Sequence, residues 1–205
     1  MLMKKSKLKK SIILLLAVTS IILNGCAKQE TDLRSSNSHL GHTGMPGSKA
    51  TGGYSEDITM AEIKEAVVDM LGDNYWPDSK IDAVSLEQIY GISSDMYEDF
   101  FAERPSNDTN VDTLIIIKAK SDQVDQVEKI LREYQETNIA DCEAYSQNLE
   151  KTQAARIETF HNYVCFVQLG ADTRAANDIS SEAVVDQCLE ENERTLDAIE
   201  KALLR

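Results

Sequence analysis

The chain has 205 residues, 42% of them apolar and 27% charged, which allows one domain or two small ones and excludes a wholly disordered chain, a collagen-like repeat and a polytopic membrane protein. Thirty-five acids against 21 bases give a net charge of -14, which argues against nucleic acid as a partner. Four cysteines are too few for a disulfide scaffold.

The amino end reads as an address. Lys4, Lys5, Lys7, Lys9 and Lys10 precede an apolar run from Ile12 to Leu23 that Thr19 and Ser20 interrupt. A dozen residues fall short of the roughly 20 that a permanent membrane span needs, so the layout is that of a secretory signal. Leu23-Asn24-Gly25-Cys26 then resembles the bacterial lipobox, in which the cysteine is lipidated and becomes the first mature residue. The lipidation residue implied is Cys26, and two or three acyl chains would hold firmly where one holds marginally. Loss of the five leader lysines leaves 16 bases against 35 acids, a net charge of -19. Such a surface favours a basic protein or a cationic ligand as partner, beside the membrane that the lipid anchor engages. The expected location is the outer face of the cytoplasmic membrane of a bacterium.

From Ala27 to about Ser55 the chain is small and polar and holds five of the nine glycines. Its apolar residues have no period, and a coil of about 29 residues would hold a domain on the order of 30 Å from its anchor. The expected organisation is a signal peptide over 1–25, a lipidated cysteine and tether over 26–57, and a single α+β domain over 58–205. His39 and His42 lie in the tether three apart, but no rigid frame or third ligand accompanies them, so no metal site is assigned there.

Thr59 and Glu62 form a capping box ahead of a helix striped by Met60, Ile63, Val67, Met70 and Leu71 and closed by Gly72. Asp73 to Ile81 reads as loop. Ser85 and Gln88 form a second capping box before a short helix that Gly91 ends. Tyr97 to Glu103 fits a strand or, through Met96, Phe100 and Phe101, a helix. Thr113 to Ala119, with four consecutive Leu and Ile residues, predicts a strand buried on both faces and central in its sheet.

Ser121 is placed to cap a helix carrying Val124, Val127, Ile130, Leu131 and Tyr134. The pattern runs on through Cys142, Tyr145 and Leu149 as one long helix, with two helices broken near Asn138 as the alternative. Arg156 to Phe160 and Tyr163 to Leu169 predict two strands around a tight turn at His161-Asn162. Ser181 to Leu204 predicts a helix led by acids and closed by Lys201 and Arg205, as the helix dipole favours. The fold class expected is α+β: a small, mostly antiparallel sheet covered on one face by helices, including a long central helix and a C-terminal helix.

Tyr90-Gly91-Ile92, the strand ending Ile117-Lys118-Ala119, the long helix with Tyr145 and then Tyr163-Val164 together resemble the bacterial lipoproteins that carry the domain of unknown function numbered 4358. That family occurs largely in Gram-positive, clostridia-like bacteria. The resemblance covers about Ser85 to Gly170 and the leader. It implies location and fold, and carries no catalytic residue. His161-Asn162 departs from it where a glycine-containing turn is expected.

Chemistry-bearing residues are sparse. Cys142, Cys165 and Cys188 lack CxxC spacing and read first as buried thiols, with a Cys165 to Cys188 disulfide as the pairing to test and a zinc site including His161 as the weaker alternative. His161, the domain's one histidine, has no nucleophile motif beside it, and neither a Gly-x-Ser-x-Gly elbow nor a His-Glu-x-x-His pair is present. Ser106 to Asp112 is rich in oxygens, yet counting from Asp108 puts Thr113 where a calcium loop needs glycine and Ala119 where it needs glutamate. Many carboxylates are available for acid–base work, Glu98, Asp99, Asp186 and Glu190 among them, and their number makes any chosen pair meaningless without geometry. No catalytic residue, metal ligand or cofactor is assigned. The expectation is a non-enzymatic binding or interaction module; the alternatives are a cell-envelope hydrolase using two carboxyls and a solute-binding lipoprotein.

Overall fold

In the computed structural model the chain divides into two units, Met1–Gly47 and Ser48–Arg205. The structure describes residues 53–55, 57–107, 110–145, 148–170 and 180–205, all in the second unit. The leader, Cys26, His39 and His42 lie outside the described residues.

Five strands, β1 (Ser79–Lys80), β2 (Tyr97–Arg104), β3 (Thr113–Ala119), β4 (Arg156–Phe160) and β5 (Tyr163–Gln168), form one antiparallel sheet in the order β1-β2-β3-β5-β4. Among the described residues five helices accompany them: α1 (Met60–Leu71), α2 (Ala83–Tyr90), α3 (Val124–Tyr145), α4 (Leu149–Gln153) and α5 (Ser181–Leu203). The α+β class, the antiparallel sheet, the long helix and the C-terminal helix agree with the expectation.

The layering is richer than the single helical face expected. Alternation along β3 sends Leu114 and Ile116 to one side, where they join Ile63 and Val67 of α1, Leu196 and Ile199 of α5, and Cys165 and Val167 of β5. Ile115 and Ile117 go to the other side, to Leu86 of α2, Val127 and Leu131 of α3, and Val164 and Phe166 of β5. A strand this apolar on both faces needs cover on both, and the helices divide accordingly.

Local chemistry sets the boundaries. At α1 the Thr59 side chain accepts from the Glu62 N–H while Glu62 accepts from the Thr59 N–H at 2.9 Å, the reciprocal cap that the spacing predicts. At α2 the cap is instead Asp82, whose Oδ1 accepts from the Ser85 N–H at 2.8 Å. A carboxylate one turn upstream takes the orphan donor, so Ser85 lies inside the helix. Gly91 ends α2 with a left-handed backbone at φ 77°, a conformation that a side chain would strain.

The expected loop from Asp73 to Ile81 contains a 3-10 turn at Gly72–Asn74 and the short edge strand β1. Two residues are too few to carry a period. The stretch from Tyr97 is strand, and the helix after Ser121 begins only at Val124, following a turn closed by the Gln123 N–H donating to the Lys120 carbonyl. The long helix passes Asn138 unbroken, and α4 starts anew after Asn148, which sits at φ 60°.

Polar clamps join the layers. Glu103 of β2, 3% exposed, accepts from Lys64 Nζ and Tyr75 Oη, each at 2.8 Å, and so holds α1 against the sheet. Asn192 of α5 is buried, accepting from the Leu169 N–H and donating to the Ala154 carbonyl, both at 2.8 Å. Among the described residues no helix is long and apolar enough to cross a membrane.

Candidate functional site

At one end of the sheet the chain turns from β4 into β5 through His161 and Asn162. His161 takes a left-handed backbone at φ 58°, and the pairing of Phe160 with Tyr163 closes the turn without glycine. The Asn162 carbonyl accepts from the Ala119 N–H at 2.8 Å, which ties the turn to the last residue of β3.

Beside this turn, β2 carries an irregularity. Tyr97 pairs with Ala119 and Asp99 with Lys118, which leaves Glu98 as an extra residue. Tyr97 and Phe100, three apart, consequently pack on the same face. Such a bulge re-aims side chains at a strand end, and here it brings Glu98 within reach of Lys118, with 3.8 Å between Oε2 and Nζ.

The remaining wall comes from the segment that enters the domain. The Ser55 N–H donates to the Leu203 carbonyl at 2.7 Å, and the Tyr54 ring stands edge-on to the His161 ring at 6.1 Å. Together Tyr54, Ser55, Glu98, Lys118, His161 and Tyr163 line a pocket of about 220 Å³. Lys118 Nζ lies 5.8 Å from the Tyr163 ring centroid, and the buried Tyr163 hydroxyl has no hydrogen-bond partner among the described residues. Partial burial, with Glu200 and Glu158 nearby, pushes the Tyr54 phenol up, so it stays a donor.

This arrangement presents one cation, one anion, an imidazole and two phenols, a set suited to holding a polar ligand. Among the described residues Glu98 is the one carboxylate in its lining. Ser55 and His161 share the pocket, yet no hydrogen bond links them among the described residues.

Of the four carboxylates named above, Glu98 alone reaches the pocket. Asp99 accepts from the Phe100 N–H, and Asp186 and Glu190 are exposed on α5. Within the 106–112 turn the Asn107 and Asn110 oxygens are used locally, while Asp112 Oδ1 accepts from Lys151. Asp78 accepts from the Ser106 N–H, Asn107 from the Asn110 N–H and Asn110 from the Asp112 N–H, as in a polar turn. Residues 108–109 lie outside the described residues. No three His, Cys, Asp or Glu side chains gather to share a metal ion among the described residues.

The candidate disulfide meets a geometric obstacle. Asn192 touches Leu169 at the end of β5, whereas Leu203 lies at Ser55, beside the Tyr54 that meets His161 at the strand's start. Helix α5 therefore runs antiparallel to β5. From that Asn192 contact, Cys165 lies about 13 Å back along the strand. Cys188 lies about 6 Å the other way along the helix. A disulfide needs Cα atoms within about 7 Å. Both side chains are buried and no disulfide joins them, and burial pushes the Cys165 thiol far up.

The other end of the sheet holds a feature that sequence reasoning missed. Lys151 Nζ donates to Asp112 Oδ1 at 2.7 Å with both side chains shut from water, and stands 4.8 Å from the Trp76 ring centroid. Three distant segments meet there, and no local spacing announces the meeting. The bulge at Glu98 likewise has no local signature.

The family model described as domain of unknown function (DUF4358) matches residues 70–169. The chain carries a DUF4358 domain. That domain runs from the last turn of α1 to the residue after β5, so it contains the whole sheet and the Lys151–Asp112 pair with Trp76. Of the pocket residues, Glu98, Lys118, His161 and Tyr163 belong to the DUF4358 domain, whereas Tyr54 and Ser55 come from outside it. No curated protein and no solved structure matches the chain.

Proposed function

We propose that this chain is a lipid-anchored lipoprotein on the outer face of the cytoplasmic membrane of a bacterium, where its DUF4358 domain acts by binding and not by turnover. The leader and Leu23-Asn24-Gly25-Cys26 support the location, since acyl chains on Cys26 would anchor a chain whose described helices offer no span. The net charge of -19 after loss of the leader supports a basic protein or a cationic ligand as partner.

The observation that carries the binding reading is the pocket at the His161 turn. It joins Lys118, Glu98 and a buried Tyr163 hydroxyl that has no hydrogen-bond partner among the described residues. A ligand seated there would satisfy the Tyr163 hydroxyl and engage both charges. Its wall includes Tyr54 and Ser55, through which the tether would join the domain.

The test combines location and activity. The full chain should fractionate with membranes, Cys26→Ala should release it, and neither form should turn over cell-wall peptides or glycans. Turnover by the full chain, abolished by Glu98→Gln, would replace the binding reading with a hydrolase.

A further inference from the structure

A second cavity lies between the sheet and the C-terminal half of α3. Gln168, the last residue of β5, alternates with Val164 and Phe166 and so faces α3. It is only 4% exposed. Its Nε2 donates to the Val111 carbonyl at 2.6 Å, which fixes the amide's orientation and leaves Oε1 as the acceptor. That oxygen is buried and has no hydrogen-bond partner among the described residues. A buried carbonyl without a donor is uncommon and calls for a cause.

The cavity beside it, about 260 Å³, is lined by Val111, Tyr134, Asn138, Asp141, Cys142 and Gln168 among others. Along α3 the first part of the inward stripe is apolar, with Val127 and Leu131 buried in the core. Past Tyr134 the positions four, seven and eight residues on become Asn138, Asp141 and Cys142. The helix has therefore exchanged packing residues for polar ones where it faces the cavity. Tyr134 supplies a ring, held against Tyr90 and Phe166 at centroid distances of 4.6 and 5.8 Å. Asp141 is exposed and supplies a negative charge to the lining.

We propose that this cavity binds a small organic ammonium ion with an apolar body. An N–H of the ligand donates to Gln168 Oε1, its charge is balanced by Asp141, and its body rests on Tyr134 and Val111. A buried acceptor beside a carboxylate favours a donor-rich cation over an anion, and an aromatic ring adds attraction for the charge. The site is separate from the pocket at the His161 turn and does not depend on where the chain resides.

The experiment titrates the full chain with 2-phenylethylammonium, with the neutral 2-phenylethanol and with phenylacetate, following binding by calorimetry. The ammonium should bind about tenfold or more tightly than the alcohol, and phenylacetate should not bind. Asp141→Asn, an exposed change that leaves the core intact, should weaken the ammonium by about threefold to tenfold. Gln168→Met should abolish the preference for ammonium over alcohol. Equal affinity for all three probes, no binding at millimolar concentration, or an Asp141→Asn variant that binds as the parent does would each overturn the proposal. Lys118→Ala, at the other end of the sheet, should leave these affinities unchanged.

Discussion

Lys151 and Asp112 form an ion pair at 2.7 Å with their side chains 8% and 0% exposed. Burial alone pushes the Asp112 carboxyl up, and the Lys151 charge beside it opposes that rise without cancelling it. Removing two charges from water offsets much of their attraction, so the pair specifies geometry more than it adds stability. What it specifies is the meeting of the β3 entry, α4 and Trp76.

Breaking one partner should therefore cost more than removing both. Lys151→Met leaves a buried carboxylate and should destabilise the fold by about 3–5 kcal/mol at neutral pH. The sign of the pH dependence follows from Asp112. A carboxyl whose folded value lies above its unfolded one binds its proton more readily in the native state, so acidification through the raised value should shrink the deficit. Lys151→Met with Asp112→Leu should recover most of the loss. Urea melts at several pH values check both.

Gly170 sits against the same lysine. A Cβ built there would lie 2.8 Å from both Lys151 Cδ and Nζ. The lysine tip is held by Asp112 and the Trp76 ring, so it has little room to yield. Gly170→Ala should cost about 1–3 kcal/mol, and in the Lys151→Met, Asp112→Leu background much less. A double-mutant cycle in urea measures the difference.

Asn192 closes two backbone groups at once, the Leu169 N–H and the Ala154 carbonyl. Asn192→Ala should cost about 1–3 kcal/mol for each buried group it orphans. Amide exchange at Leu169 should accelerate in the same variant, which separates this effect from a general loss of packing.

His161 is a non-glycine residue at positive φ in a two-residue turn. His161→Val adds a branched Cβ in a left-handed conformation and should destabilise by about 1–2 kcal/mol, whereas His161→Gly should be tolerated. The glycine variant also removes the imidazole from the pocket while keeping the turn, so thermal melts and ligand titrations on it separate fold from site.

These contrasts show what the sequence made legible. Unbroken periods were readable: Leu114 to Ile117 as a central strand, the α1 stripe from Met60 to Leu71 with its capping box, and the α5 stripe all appear where their spacing predicts. Competition between near neighbours was not. Asp82 outcompetes Ser85 as a cap, and β1 is too short to carry a pattern. The pocket depends on residues from four segments meeting at a strand end. Glu98 and His161 were visible as chemistry, but Lys118 and Tyr163 read as ordinary strand residues until the bulge and the turn placed them together. Whether a strand's apolar faces are covered once or twice also depended on tertiary contacts, since alternation fixes the faces and not the cover.

The central claim is that acyl chains on residue 26 hold a binding domain outside the cytoplasm. Mass spectrometry of the amino-terminal peptide, taken from cells expressing the full chain, tests it most directly. The account predicts a chain that starts at Cys26 and carries a diacylglyceryl thioether. A peptide that retains residues 1–25, or a bare thiol at Cys26, would contradict it.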